Sequence, residues 1–169
     1  DDTEFLALDG QKTVLPATLS KVILTDVLRN ELKFNGVIVT DALDMAGIAN
    51  YMDEADAVLQ TFYAGADIAL MPFTIRNHDD IKGYRHMMAR VNAAIVGNSS
   101  DSRASIPKPE QLSISTTRIL ETKKQYLQKS IRIKEKLEDV ENLALSHHML
   151  AVTYYANKQN DSSLIHISK

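Results

Sequence analysis

The stretch GVIVTDALDM, residues 36–45, constrains the fold more than any other part of this chain. Val37-Ile38-Val39 is apolar whichever face it turns, the pattern of a parallel strand covered on both sides rather than a half-exposed hairpin strand. Residues 36–40 therefore read as a strand. A parallel neighbour needs a crossover of a dozen or more residues, and ADIALMP at 66–72 supplies a second short apolar run, closed by Pro72. The link between the two runs is about 25 residues, enough for a crossover helix. That helix is expected over roughly 53–64, with Asp53 and Glu54 favouring its first turn and Gly65 ending it.

Around this pair the pattern is helical. Residues 1–15 read as an irregular lead-in. Pro16 with Thr18 or Ser20 opens a helix with the stripe Val22, Ile23, Val27, Leu28 and Leu32, stopped by Phe34-Asn35-Gly36. Ile81, Tyr84, Met88, Val91 and Ile95 recur at helical spacing over about 79–96. GNSSDSRASIPKP, residues 97–109, is a loop, and 110–127 is helical again through Leu112, Ile119, Leu120 and Leu127. From 129 the chain becomes charge-dense and helical, with acid–base pairs three or four apart. AVTYYANKQ and SLIHIS then read as two short strands. No internal repeat is visible.

Composition narrows the function classes. With 44% hydrophobic and 24% charged residues, the chain can bury a core. A formal net charge of −3 gives no electrostatic reason to expect nucleic acid or an anionic membrane as partner. The absence of cysteine removes disulfides, thiolate catalysis and Cys-ligated zinc. No apolar run approaches the roughly 18–20 residues of a membrane-spanning helix. The first residues, DDTEFLALDG, are acidic where a signal peptide is basic, and they carry no methionine; the chain is expected to start inside a longer reading frame.

Asp41 is the candidate catalytic residue. In open α/β sheets and (β/α)₈ barrels, ligands bind at the carboxyl ends of the strands, where Asp41 stands. Its parity matches Val37 and Val39, so Ile38 and Thr40 should face the helices. An aspartate here equally suits a cap of the following turn. Asp44, three residues on, is a poor partner for two-carboxylate chemistry. A retaining glycosidase places its carboxylates about 5–5.5 Å apart on the two sides of the scissile bond, and residues in one short loop approach from one side. Asp44 reads as a loop or capping residue.

PATLSKVILTDVLRNELKFNGVIVTDALDM, followed by an Ala-rich helix and AGADIALMP, resembles the bacterial β-N-acetylglucosaminidases of glycoside hydrolase family 3. The resemblance is close over 16–72 and looser to the end. It implies that residues 1–128 are the C-terminal part of a catalytic (β/α)₈ barrel, containing its last two βα units. It further implies that 129–169 are a linker helix and the first strands of a second α/β domain. Asp41 takes the nucleophile's place in the Thr-Asp-Ala-Leu motif. The β-glucosidases of the family typically carry Asp-Trp there, whereas this chain has Ala42 and no tryptophan.

The implied activity is retaining hydrolysis of β-linked N-acetylglucosaminides of cell-wall or chitin type, with no metal or organic cofactor. Thr40 and N–H groups of the next turn are expected to help hold the carboxylate's charge. Two-domain relatives are commonly exported to the cell wall, which favours an envelope or extracellular place for the parent protein and leaves a cytoplasmic one open. The family's sugar-binding Arg and Lys-His residues, and its His-Asp acid/base loop, have no counterpart here. His78, His86, His147, His148 and His166 do not replace them and read as surface or packing residues. The partner expected for this chain is therefore the missing N-terminal part of the barrel. Alone it is expected to be inactive and poorly stable, because two strands leave one face uncovered. Other readings are a β-glucosidase or β-xylosidase of the family, a non-catalytic truncated or sugar-binding product, and an unrelated α/β domain with Asp41 as a cap. A cooperative thermal unfolding transition of a monomer would contradict the expected poor stability.

Overall fold

The computed structural model describes residues 4–6, 12–50, 52–97 and 105–156. The chain divides into two compact units, 1–115 and 116–169. It is a helix-rich α/β protein containing a small parallel two-stranded sheet.

The first unit opens with an antiparallel ladder of β1 (Glu4–Leu6) and β2 (Lys12–Val14), where an irregular lead-in was expected. A 3₁₀ turn, Ala17–Leu19, leads into a helix over Val22–Glu31 that is of π type. Its i→i+5 bonding, seen where Leu32 N–H donates to the Val27 carbonyl at 2.8 Å, widens each turn. That widening rotates the apolar face away from the stripe read at α-helical period. Leu24 is buried and Leu28 packs beside it, while Ile23, Val27 and Leu32 stand exposed.

β3 (Val39–Ala42) and β4 (Ile68–Leu70) pair in parallel, as the two apolar runs foretold. β3 starts and ends later than the 36–40 expected, so Asp41 as well as Thr40 lies inside it. A short α1 (Ala46–Ala49) and the crossover helix α2 (Glu54–Ala64) join the strands. Asp53 caps α2 by accepting from the Asp56 N–H at 3.1 Å. Gly65 ends it at φ 111°, and a Cβ there would stand 2.5 Å from Thr25 Oγ1. That closeness arises because Thr25 donates to the Ala64 carbonyl at 2.7 Å.

α2 is buried almost all round: Ala55, Ala57, Val58 and Leu59 meet Leu15, Leu19 and α3 (Asp80–Ile95). Gln60 donates to the Leu19 carbonyl at 3.0 Å. On α3 the buried residues are Met87, Val91 and Ala94, whereas Tyr84 and Met88 are exposed. Val91 of the expected stripe is buried and Ile95 packs beside it, while Met87 and Ala94 take the places expected for Tyr84 and Met88; on the same helix Arg90 pairs with Asp53 at 3.1 Å.

One buried node ties this unit together. Arg29 donates to the carbonyls of Phe34 and Gly36 at 2.9 and 2.6 Å and to Asp67 Oδ2 at 2.7 Å. Asp67 Oδ2 also accepts from the Ile38 N–H at 2.8 Å, and Oδ1 accepts from Ser115 Oγ at 2.8 Å. Gln111 of α4 (Pro109–Lys136) adds hydrogen bonds to the Phe62 and Tyr63 carbonyls.

The second unit contains the rest of α4 and α5 (Val140–Ala156). Leu127 and Ile131 pack against Leu143, Leu150 and Tyr154. Asp139 accepts from the Asn142 N–H at 3.3 Å at the head of α5. The strand expected over AVTYYANKQ is not formed: residues 151–156 are the last turns of α5. Leu150 and Tyr154, four apart, both reach α4, and Thr153 Oγ1 donates to the Met149 carbonyl at 2.9 Å. Burying two large side chains outweighs a strand preference of a few tenths of a kcal/mol per residue. The continuation to 159 and the strand expected at SLIHIS fall outside the described residues.

Removing one partner of a buried, hydrogen-bonded ion pair is strongly destabilising. Arg29→Met should lower stability by about 3–5 kcal/mol, read as a lower urea midpoint.

Candidate active site at the end of β3

The backbone puts Asp41 at the outer end of the parallel pair. Alternation along β3 is as read from sequence: Ile38 and Thr40 are buried, while Val39 and Asp41 are exposed on the other side. Val39 is 50% exposed and Leu70 42%, so this face of the sheet is uncovered. Asp41 Oδ1 accepts from the Ala42 N–H at 2.8 Å. This N–H belongs to β3 itself and not to the following turn, where the support was expected. Thr40 does not provide the other part: its hydroxyl accepts from the Leu70 N–H at 2.9 Å, on the buried side. Asp41 caps no helix, since the residue at the head of α1 is Met45.

Asp44 has a separate job. Its Oδ2 accepts from the Thr74 hydroxyl at 2.8 Å, joining the loop after β3 to the loop after β4. The two carboxylates are therefore not arranged as an acid and nucleophile by any shared contact. An open cleft of ≈ 440 Å³ lies beside this tie, lined by Leu43, Asp44, Met52, Glu54, Phe73 and Thr74 among others. Asp41 does not line it, and neither does any histidine among the described residues.

The histidines are scattered. His78 and His86 are exposed in and before α3, His147 is buried and His148 exposed in α5, and His166 falls outside the described residues. Among the described residues, no three His, Asp or Glu side chains gather as a metal site. Nor is any helix long and apolar enough to cross a membrane. Sequence reasoning missed Thr74 and the Thr40 contact. The signal for Thr40 was its inward parity, since a buried hydroxyl must find a hydrogen-bond partner.

Residues 3–100 match the glycosyl hydrolase family 3 N-terminal domain. The chain belongs to this family. It is 43% identical over 130 residues to β-hexosaminidase A of Pseudoalteromonas piscicida, a match covering 77% of this chain and 21% of that protein. It is 34% identical over 114 residues to a β-N-acetylglucosaminidase/β-glucosidase of Cellulomonas fimi, covering 68% of this chain and 17% of that protein. Among solved structures, CbsA of Thermotoga neapolitana superposes with a TM-score of 0.48 at 26% identity, covering 65% of this chain and 22% of CbsA. The chain spans about a fifth of the length of the curated relatives it matches. Within this glycoside hydrolase family, Asp41 stands at the strand end where α/β enzymes place their chemistry.

Because Asp41 is exposed and makes a local bond that asparagine can keep, Asp41→Asn should change stability by less than about 0.5 kcal/mol. Chemical denaturation of the variant beside the native chain checks this.

Proposed function

We propose that this chain is part of a retaining glycoside hydrolase that releases β-linked N-acetylglucosamine, with Asp41 as its nucleophile. The observation that carries the reading is the position of Asp41: at the carboxyl end of a parallel strand, on the uncovered face, with its carboxylate exposed. The 43% identity to a β-hexosaminidase supports the choice of sugar. The two strands would be the last two of the family's barrel, and the open face carrying Val39 and Asp41 would line its interior.

In the proposed reaction an Asp41 oxygen attacks the anomeric carbon while the glycosidic C–O bond breaks. The leaving oxygen takes a proton from a general acid supplied by another part of the barrel. Water then attacks the anomeric carbon of the glycosyl ester and gives its proton to the same group. The sugar departs, and the Asp41 carboxylate is restored. The Ala42 N–H, 2.8 Å from Oδ1, steadies the carboxylate as an anion and orients it. Without the acid group, this chain alone turns over little substrate.

A second reading is hydrolysis of β-glucosides, favoured by the dual name of the Cellulomonas fimi relative. A panel of chromogenic glycosides, given to the longer protein that contains this chain, separates the two. N-acetylglucosaminide should be the preferred substrate. Asp41→Asn should cut its turnover by at least about a thousandfold, as expected when a covalent nucleophile is lost. Undiminished turnover would remove Asp41 from the mechanism.

A further inference from the structure

β3 and β4 do not run in even register. Val39 lies opposite Ile68 and Ala42 opposite Leu70, so β3 advances three residues while β4 advances two. This is a bulge, and Asp41 lies within it. Beside this bulge the Leu70 N–H, whose residue is bridged to Ala42, also reaches a side chain: Thr40 Oγ1 accepts from it at 2.9 Å. Immediately beyond, the Leu43 N–H donates to the Leu70 carbonyl at 3.0 Å. Leu70 is thus held to the β3 segment through its N–H and through its carbonyl.

The residue types suit this arrangement. Thr40 is 6% exposed, and its β-branched side chain is stiff about χ1, so its oxygen has a narrow range of positions. Valine would fill the same volume and offer no acceptor. Serine would keep the acceptor and lose the methyl group. Bulges bend a strand and re-aim its side chains, and they are over-represented beside active sites. The Asp41 carboxylate is also tied to the next peptide plane through the Ala42 N–H, so turning the bulge turns the carboxylate with it.

We propose that Thr40 is a positioning residue, whose buried hydroxyl accepts from the Leu70 N–H beside the β3 bulge, holds that bulge, and thereby sets the direction in which Asp41 leaves the strand. Its meaning for catalysis rests on the reading of Asp41 as nucleophile; the aiming itself does not.

The test is NMR on the whole chain with native Thr40, Thr40→Val and Thr40→Ser. In Thr40→Val, exchange of the Leu70 amide should rise about tenfold, the loss of one hydrogen bond of ordinary strength. The Asp41 carboxyl ¹³C resonance and the Ala42 amide should shift with it. Thr40→Ser should return all three towards their native positions. An Asp41 carboxyl resonance that stays in place in Thr40→Val, while Leu70 exchange rises, overturns the proposal: the hydroxyl then holds the strands without aiming Asp41. If Thr40→Val does not fold, native chain and Thr40→Ser decide. Asp41 carboxyl and Ala42 amide signals that match in the two support the proposal, and signals that move apart although serine keeps the hydroxyl overturn it. None of these signals requires turnover. An Asp41→Asn variant of the longer protein that remains active would therefore overturn the nucleophile reading and leave the aiming of Asp41 intact.

Discussion

The contact on which the first unit depends is the buried pair between Arg29 and Asp67, 2.7 Å apart. Their side chains are 11% and 1% exposed, so neither charge can be solvated by water. An unpaired charge at such depth is strongly unfavourable, and a pair survives only if its remaining hydrogen-bonding capacity is used. Here the partners are present. Arg29 spends its other donors on the Phe34 and Gly36 carbonyls, and Asp67 accepts from the Ile38 N–H and Ser115. One node thus links the π-helix, the approach to β3, the approach to β4 and the head of α4. Pairs of this kind are weak evidence for net stability, but they specify arrangement, because any other register leaves a buried ion exposed to no partner.

The node lies before the first residues of both strands, while Asp41 lies towards the far end of β3. The buried node and Asp41 are therefore separated along the strands. This matches the division in parallel barrels, where one face holds the fold together and the other carries loops and reacting groups. Between the two ends sits the bulge at Thr40, the point where the regular ladder stops and the direction of the chain is reset. The tie from Asp44 to Thr74 then fastens the two outgoing loops to one another.

Much of this was legible. The two apolar runs, their parallel pairing, the helix between them, its acidic start at Asp53 and Glu54 and its Gly65 stop follow from local chemistry that a sequence displays; that Asp53 is the cap was seen only in the structure. The opposed faces of Thr40 and Asp41 follow from strand period alone. What failed did so for identifiable reasons. The stripe on residues 22–32 was read at a period of 3.6, and the helix is of π type, so Leu24 is buried in place of Ile23 and Val27. The face of α3 was set by packing of Met87, Val91 and Ala94 into a core whose other members lie far back in the chain. AVTYYA looked like a strand because β-branched and aromatic residues favour one, yet a helix surface at Leu127 and Ile131 was available to bury Leu150 and Tyr154.

The sequence by itself determined which segments are strands of a parallel pair, on which face each polar residue falls, and that an aspartate stands near the carboxyl end of the first. These are matters of period, backbone preference and capping, all settled within a few residues. Tertiary structure decided the rest. It chose Asp67 as the partner of Arg29 across 38 positions, gave Thr40 to Leu70, and turned 151–156 into helix. Each of those outcomes depends on which surface or buried polar group lies opposite, and a linear pattern carries no record of what will stand there.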